Sequence, residues 1–457
     1  MNKDSRGLSY SGTDQAGIAK FEEAMAWNFD YLPNGLEKVD ALLAEYPDFL
    51  MAWVLKGYSI ASEGRFGALS NIPLTFIENS TIRIASTPRE RKHVLALSAY
   101  AQGDTKKAVE IWSDILNEWP LDLLAFRQST GNLFWMGERQ RLVDTAAKIA
   151  PHWTENTPGY GYFIGAFSFA LEEVGEYSLA EKYARRAVEI NPSDMWAVHS
   201  MAHVLEMNAR TDEGIAWIEE RHERLPKHNA FVGHIWWHLG LFHLEQGHIE
   251  KVLSLFDEYI YPEASSFYLN IQNGASLLKR LEFVGVDVGN RWERLYQGVK
   301  DSVGDYLYLF TELHTAMILN RSGSTYQLPQ LHASLSDWSK TRYTNETSIA
   351  QELISGISAY EAKEYDIAAK MLHPQRYSLS VLGGSHAQQD ILIQYLINAQ
   401  HKNSNVSAVT GLMKERVSRR TQWDEKPQQF MQMWQQIDAM KDGMSEDVFR
   451  QLLRKVQ

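Results

Sequence analysis

Residues 161–192 read GYFIGAFSFALEEVGEYSLAEKYARRAVEINP, and this stretch decides the fold. Gly175 and Tyr177 break it in the middle, Ala180 and Ala187 place small side chains in its second half, and Pro192 closes it. Apolar residues recur at helical spacing on both sides of the glycine. The stretch therefore reads as two antiparallel helices joined by a tight turn, with alanines where the helices cross closely. The next proline is Pro226, and 226 − 192 gives a period of 34 residues.

A helical hairpin of about 34 residues is the unit of the tetratricopeptide repeat. The same frame recurs. HVLALSAYAQGDTKKAVEIWSDILNEWP carries Ala96, Gly103, Ala108, Trp112 and Pro120 at matching positions. WWHLGLFHLEQGHIEKVLSLFDEYI carries Gly240, Gly247 and Phe256, and LISGISAYEAKEYDIAAKMLHP carries Gly356, Tyr365, Ala368 and Pro374. A degenerate copy over 123–151 has Gly137 at its turn. Alternating β-branched runs bounded by turns are scarce, so sheet should be close to nil. The fold class is all-α, a tetratricopeptide-like α–α superhelix with irregular helical ends. Its segments read as an N-terminal helical cap over 1–80, repeats over 81–264, degenerate helical repeats over 265–378 and C-terminal helices over 379–457. After Pro374 the pattern breaks, and helix is expected to resume near Asp390. Irregular ends fit a solenoid, whose terminal units need polar caps, and they could curl back and close the groove.

Composition narrows the function classes. With 457 residues, 44% apolar and 22% charged, the chain has an ordinary globular make-up. A net charge of −12 and no long basic block argue against nucleic acid. The absence of cysteine removes disulfides, thiolate zinc sites, iron–sulfur clusters and a cysteine nucleophile. No run approaches the ~20 apolar residues of a membrane span, and MNKDSRGLSYSGTDQ lacks a secretory pattern. No membrane association and a cytoplasmic location are expected.

The histidines carry the chemical interest. Eight of fifteen lie between residues 199 and 248, where even scatter would place about two. MWAVHSMAHVLE puts His199 and His203 four apart with Glu206 after them, and HIWWH puts His234 and His238 four apart. That spacing sets two imidazoles on one helix face. In the repeat frame His199, His203 and Glu206 take positions 5, 9 and 12 of a first helix, while His234 and His238 take 2 and 6 of the next. Those positions face the concave groove of tetratricopeptide folds. His93 and Arg127 fall at position 5 of theirs, and His314 at position 6 if Gly323 is a turn glycine. No glutamate follows the first histidine, so HExxH metalloprotease chemistry does not apply. His199, His203, His234 and His238 could ligate a divalent first-row metal such as zinc or iron. They could equally form a metal-free hydrogen-bonded pocket, or bind an acidic group when protonated. Any single histidine is more economically a satisfied helix residue. Gly383-Gly384-Ser385 lacks a following GK[ST] and reads as a turn before a helix.

At VHSMAHVLEM, GHIWWHLGLFHLEQG and VLGGSHAQQDIL the chain resembles the tetratricopeptide repeat protein 38 family. The likeness continues through RERKHVLALSAYAQGDTKKAVEIWSDILNEWPLDLLA, INPSDMWAVHSMAHVLEM, GVDVGNRW and LHTAM, and so spans nearly the whole chain. The family's histidine helices match at His199, His203 and Glu206 and at His234, Trp237 and His238. Thr311, Glu312 and His314 match more loosely, and the Gly-Gly-Ser block matches Gly383, Gly384, Ser385, Gln388 and Asp390. The resemblance implies an α-helical repeat protein and assigns no chemistry.

Two functions follow from the residues. In the first, a histidine-rich central pocket binds a small molecule and could process it, by metal or acid–base chemistry. His199, His203, His234, His238 and Glu206 would carry that chemistry, while His93, Arg127, Trp237, His314 and Asp390 would hold the substrate. In the second, the protein is a scaffold whose groove takes an acidic peptide or a partner's tail. Homo-oligomerisation is open in both.

Overall fold

A computed structural model of the chain describes residues 2–83, 86–225, 229, 231–341, 344–420, 435–437 and 444–455. The closing proline Pro226 and His228 lie outside them. The described residues are helical throughout, except for loops and a ribbon pairing Asn2–Lys3 with Ser9–Tyr10. Two compact units emerge. One comprises residues 1–201 and 224–231, the other 202–223 and 232–457, so the division falls inside the 81–264 segment.

The first unit holds α1 (Gln15–Phe29), α2 (Gly35–Glu45), α3 (Leu50–Ala61), α4 (Phe66–Leu69), α5 (Leu74–Arg83), α6 (Pro88–Ala101), α7 (Thr105–Glu118), α8 (Leu123–Trp135), α9 (Arg139–Ile149), α10 (Tyr160–Glu173) and α11 (Tyr177–Ile190). Helices α6 to α11 pack in sequence as antiparallel hairpins. The stretch 161–192 is the hairpin α10–α11, with Ala180, Ala184 and Ala187 buried along one face of α11. Its turn glycine Gly175 has φ +86°, the left-handed geometry that ends a helix and that a side chain resists. Local chemistry fixes the helix starts. Thr87 and Glu90 form a reciprocal capping box ahead of α6, with Pro88 in its first turn. Asp122 caps α8 by accepting from the Ala125 N–H at 2.9 Å.

Helix α12 (Met195–Met207) begins in the first unit and ends in the second. The second unit continues with α13 (Thr211–Glu219), α14 (Val232–Gln246), α15 (Ile249–Leu255), α16 (Tyr268–Phe283), α17 (Arg291–Val299), α18 (Leu309–Arg321), α19 (Leu328–Thr341), α20 (Thr344–Glu361), α21 (Tyr365–Gln375), α22 (His386–Lys402), α23 (Val406–Arg420) and α24 (Glu446–Lys455). Helices α14, α16, α18 and α22 are buried almost all round, the mark of a helix with neighbours on every side. The chain curls back within this unit: α22 packs on α16 and α24 on α14.

Helix α21 ends at Gln375, just past Pro374, where the repeat pattern breaks. One boundary differs from the sequence reading. Helix resumes at His386 rather than near Asp390, because Ser385 and Gln388 form a second capping box. The Gly383-Gly384 turn directly before it masks that signal.

Close helix crossing depends on glycine at Gly214 in α13. A Cβ there would stand 2.4 Å from the Phe242 ring of α14, closer than carbon atoms tolerate. Gly214→Ala is expected to cost about 1–3 kcal/mol by overpacking, measured as a lowered urea midpoint, with Phe242→Leu in the same chain restoring part of it.

Candidate functional site

The second unit gathers buried polar side chains from five helices. Helix α12 supplies His203 and Glu206, α14 supplies His234, Trp237 and His238, and α16 supplies Asn273, Ser276 and Arg280. Asp390 comes from α22, and Arg416 and Arg420 from α23. All but Asp390, which is half-buried, are buried. Buried polar groups persist only where they are hydrogen-bonded or paired.

The two α14 histidines are held alike. His238 Nδ1–H donates to Glu206 Oε2 at 2.9 Å, and His234 Nδ1–H donates to Asn273 Oδ1 at 2.7 Å. Each neutral ring therefore carries its lone pair at Nε2. Trp237 keeps this geometry rigid. Its ring stacks on His234 at 5.2 Å with 12° between planes, and its Nε1–H donates to Ser276 Oγ at 3.1 Å. The His238 ring lies 4.6 Å from that of His203 and 4.9 Å from that of His234. One ligand nitrogen from each of His203, His234 and His238 lies within 4.8 Å of the other two.

Charge follows burial. Desolvation, then the neighbouring His203 and Arg280 charges, hold His238 well below the ordinary imidazole range. Desolvation and His238 do the same to His234, against the pull of its bond to Asn273. The His238–Glu206 contact is thus an imidazole–carboxylate hydrogen bond rather than an ion pair. Burial pushes the Glu206 carboxyl up, while Arg420, His203 and Arg280 pull against it. Arg280 is fully buried, and desolvation lowers it to about 10, resisted by Asp390 and Glu206. Its Nη2 donates to the Ala387 carbonyl at 2.7 Å, and its guanidinium lies 5.5 Å from the Trp237 ring centre. Asp390 accepts from Arg416 Nε at 2.7 Å and Nη2 at 2.6 Å. Burial raises that carboxyl, but Arg416 and Arg280 outweigh it and leave it below the usual range.

An open cleft of about 460 Å³, its mouth included, adjoins these groups. Glu206, His386, Gln389, Asp390, Arg416, Arg419 and Arg420 line it. Arg420 donates through Nη2 to the Glu206 carbonyl. The first turn of α22 also faces the cleft, and a helix start favours negative charge.

The remaining expected site residues have these places. His314 is buried on α18, its Nδ1–H donating to the Phe310 carbonyl at 2.8 Å, and desolvation lowers it to about 4. His199, Arg127 and His93 belong to the first unit. His199 packs its ring on Phe169, Trp196 and Phe231 at 5.0–5.4 Å. Arg127 lies over the rings of Phe29 (5.4 Å) and Trp196 (5.0 Å), facing Asp30 and Asp194. Desolvation pushes those two carboxyls up to about 6 and about 7. Tyr162 OH donates to Asp30 Oδ2 at 3.0 Å, so the end of α1 covers this stretch of the α8–α10 face. His93 spends both ring nitrogens on protein, with Asp122 Oδ2 at 3.0 Å and Tyr58 OH at 3.3 Å. Within the second unit the structure thus joins His203, His234, His238, Glu206 and Trp237, with Asp390 one arginine away.

Asn273, Arg280, Arg416 and Arg420 went unnoticed in the sequence. Asn273, Ser276 and Arg280 lie at i, i+3 and i+7 on one face of α16, a spacing that periodicity exposes, although Asn270, Gln272, Lys279 and Glu282 on the same helix blur it. The arginines of α23 give no such signal, since RVSRR also reads as a solvated helix end.

No family model matches the chain. Among solved structures it is similar to yeast Tom70, at 12% identity and a TM-score of 0.34 over 93% of this chain and 96% of that one. It is also similar to the P58(IPK) TPR domain, at 11% identity and a TM-score of 0.23 over 77% and 98%. At such scores neither likeness bears on function, and the assignment to helical hairpins rests on the chain's own elements. Among the described residues no helix is long and apolar enough to cross a membrane.

Proposed function

We propose that the second unit binds a small anionic molecule in the arginine-lined cleft and presents it to the histidine group behind. One observation carries this reading: Glu206 lines the cleft and at the same time holds His238 through its carboxylate. A ligand in the cleft would therefore lie against the residue that orients the imidazole. Arg416, Arg419, Arg420 and the start of α22 supply positive character. Burial of His203, His234 and His238 supports a small ligand over a peptide lying along an open groove.

The test is binding of inorganic phosphate and of a dicarboxylate to the full chain, followed by calorimetry and thermal shift. Arg419 is the least buried of the three arginines, with 34% of its side chain exposed, and its carboxylate contact, Glu415, is 4.0 Å away. Arg419→Ala is expected to keep the fold and weaken anion binding by about 10-fold, the effect of one charge-assisted hydrogen bond. A chain that neither anion stabilises at millimolar concentration would end this reading.

A second reading, a scaffold for a protein partner, draws support from the helical-hairpin fold and from exposed apolar side chains. Ile367 and Met371 stand one turn apart on α21, and Tyr377 and Val381 follow them, all exposed. It would be favoured if Ile367→Asp abolished a protein contact while anion binding persisted.

A further inference from the structure

We infer that His203, His234 and His238 hold a divalent first-row metal ion, with zinc the best match, inside the second unit. The inference stands apart from the anion-binding proposal. It needs only the three imidazoles and the two groups that orient them.

Three features carry it. The first is proximity: one ligand nitrogen of each ring lies within 4.8 Å of the other two. Nitrogens bound tetrahedrally at ~2.1 Å sit about 3.4 Å apart, so the rings need close by about 1.4 Å at most.

The second feature is orientation. His238 gives its Nδ1–H to a carboxylate and His234 gives its Nδ1–H to an amide oxygen. Both rings then carry the lone pair at Nε2. Metal-ligating histidines are held in this way, with the distal N–H anchored on a carboxylate or carbonyl. Two Nε2 acceptors cannot hydrogen-bond each other, whereas both can donate to one cation.

The third feature is chemistry. The chain has no cysteine, and three imidazoles make a nitrogen-rich set that suits zinc, copper or nickel over calcium or magnesium. Three protein ligands also leave a coordination position for water or an exogenous group, the pattern of reactive zinc sites rather than closed structural ones. Glu206 acts here as a positioning residue for His238.

The experiment uses the full chain without a polyhistidine tag, stripped of metal with a chelator and then titrated with Co²⁺ and Zn²⁺. The expected result is one ion per chain, with the intense visible absorption of tetrahedral cobalt bleached by one equivalent of zinc. His238→Gln and His203→Gln should abolish that absorption. Glu206→Gln keeps the size and an acceptor oxygen, and should weaken zinc by about 10- to 100-fold. His243→Ala, outside the group, should leave the titration unchanged. Circular dichroism of each variant without metal separates loss of a ligand from loss of fold, and an unfolded glutamine variant is replaced by His234→Asn. Absence of stoichiometric cobalt binding by the folded parent chain would overturn the inference. So would undiminished cobalt binding by a folded His238→Gln chain.

Discussion

Asp122→Ala is expected to lower the stability of the first unit by about 4 kcal/mol, near the upper range for single substitutions. Asp122 is buried where three elements meet. Its Oδ2 takes Arg89 Nη1 at 2.7 Å and His93 Nε2 at 3.0 Å, while Oδ1 caps α8 through the Ala125 N–H. Burial alone would raise this carboxyl, but the His93 and Arg89 charges hold it well below the usual carboxylate range. The arrangement extends outward: His93 Nδ1 meets Tyr58 OH, which accepts from Trp112 Nε1 at 2.8 Å, and Arg89 covers the Tyr10 ring at 4.7 Å. Alanine at 122 would leave the Arg89 guanidinium buried without its carboxylate, and that uncompensated charge is the main cost. The lost cap adds about 1 kcal/mol. Asp122→Asn isolates the charge, since it keeps an acceptor for the cap. The measurement is the urea midpoint of the full chain, followed by circular dichroism. Asp122→Asn should fall between the parent and alanine, and equal loss in both variants would assign the whole cost to charge. A loss below about 1 kcal/mol in Asp122→Ala would mean that the network contributes no more than its cap.

The repeat was legible because its determinants are local. Gly175 requires a left-handed turn, Ala180 and Ala187 permit close crossing, and Pro192 ends the unit, all within one 32-residue stretch. The capping box at Ser385–Gln388 is equally local, yet the two glycines before it give the stronger turn signal and point to a later helix start. Closure of the second unit was less accessible. It rests on contacts between distant segments, such as Arg280 on α16 donating to Ala387 on α22, 107 residues away.

The histidines show the same boundary. Pairs at i, i+4 could be set on one face from spacing alone, and His203, His234 and His238 do meet in the second unit. What surrounds them could not be read. Asn273, which orients His234, lies 39 residues downstream, and Arg280 and Arg420, which set the charge around Glu206, lie farther still. His93 makes the opposite point. Its repeat position aims it at a groove, but tertiary partners Asp122 and Tyr58 occupy both its nitrogens, and no periodicity encodes such partners.

Glu312→Gln is expected to make the second unit markedly more stable at alkaline pH while leaving it little changed near pH 4. Glu312 is wholly buried on α18, where Oε1 accepts the Tyr306 N–H at 3.1 Å. Desolvation pushes its carboxyl up to about 8, against backbone hydrogen bonds from Tyr306 and Gly304 that favour the charged form. The folded unit therefore holds a proton that the unfolded chain releases near pH 4.5. The sign follows from linkage: the contribution is fully present below about 4.5 and is lost as pH rises through about 8. A shift of that size corresponds to on the order of 5 kcal/mol between the two limits. Glutamine keeps a carbonyl to accept the Tyr306 N–H and cannot ionise, so it removes this dependence while keeping the contact. Urea midpoints of parent and variant at pH 5, 7 and 9 test it, the difference between the chains isolating Glu312 from other titrating groups. The gap should widen from pH 5 to pH 7, then level off above about pH 8, in favour of the variant. A gap that stays constant across that range would show that Glu312 is ionised in the folded unit at neutral pH, and that its two backbone donors outweigh its burial.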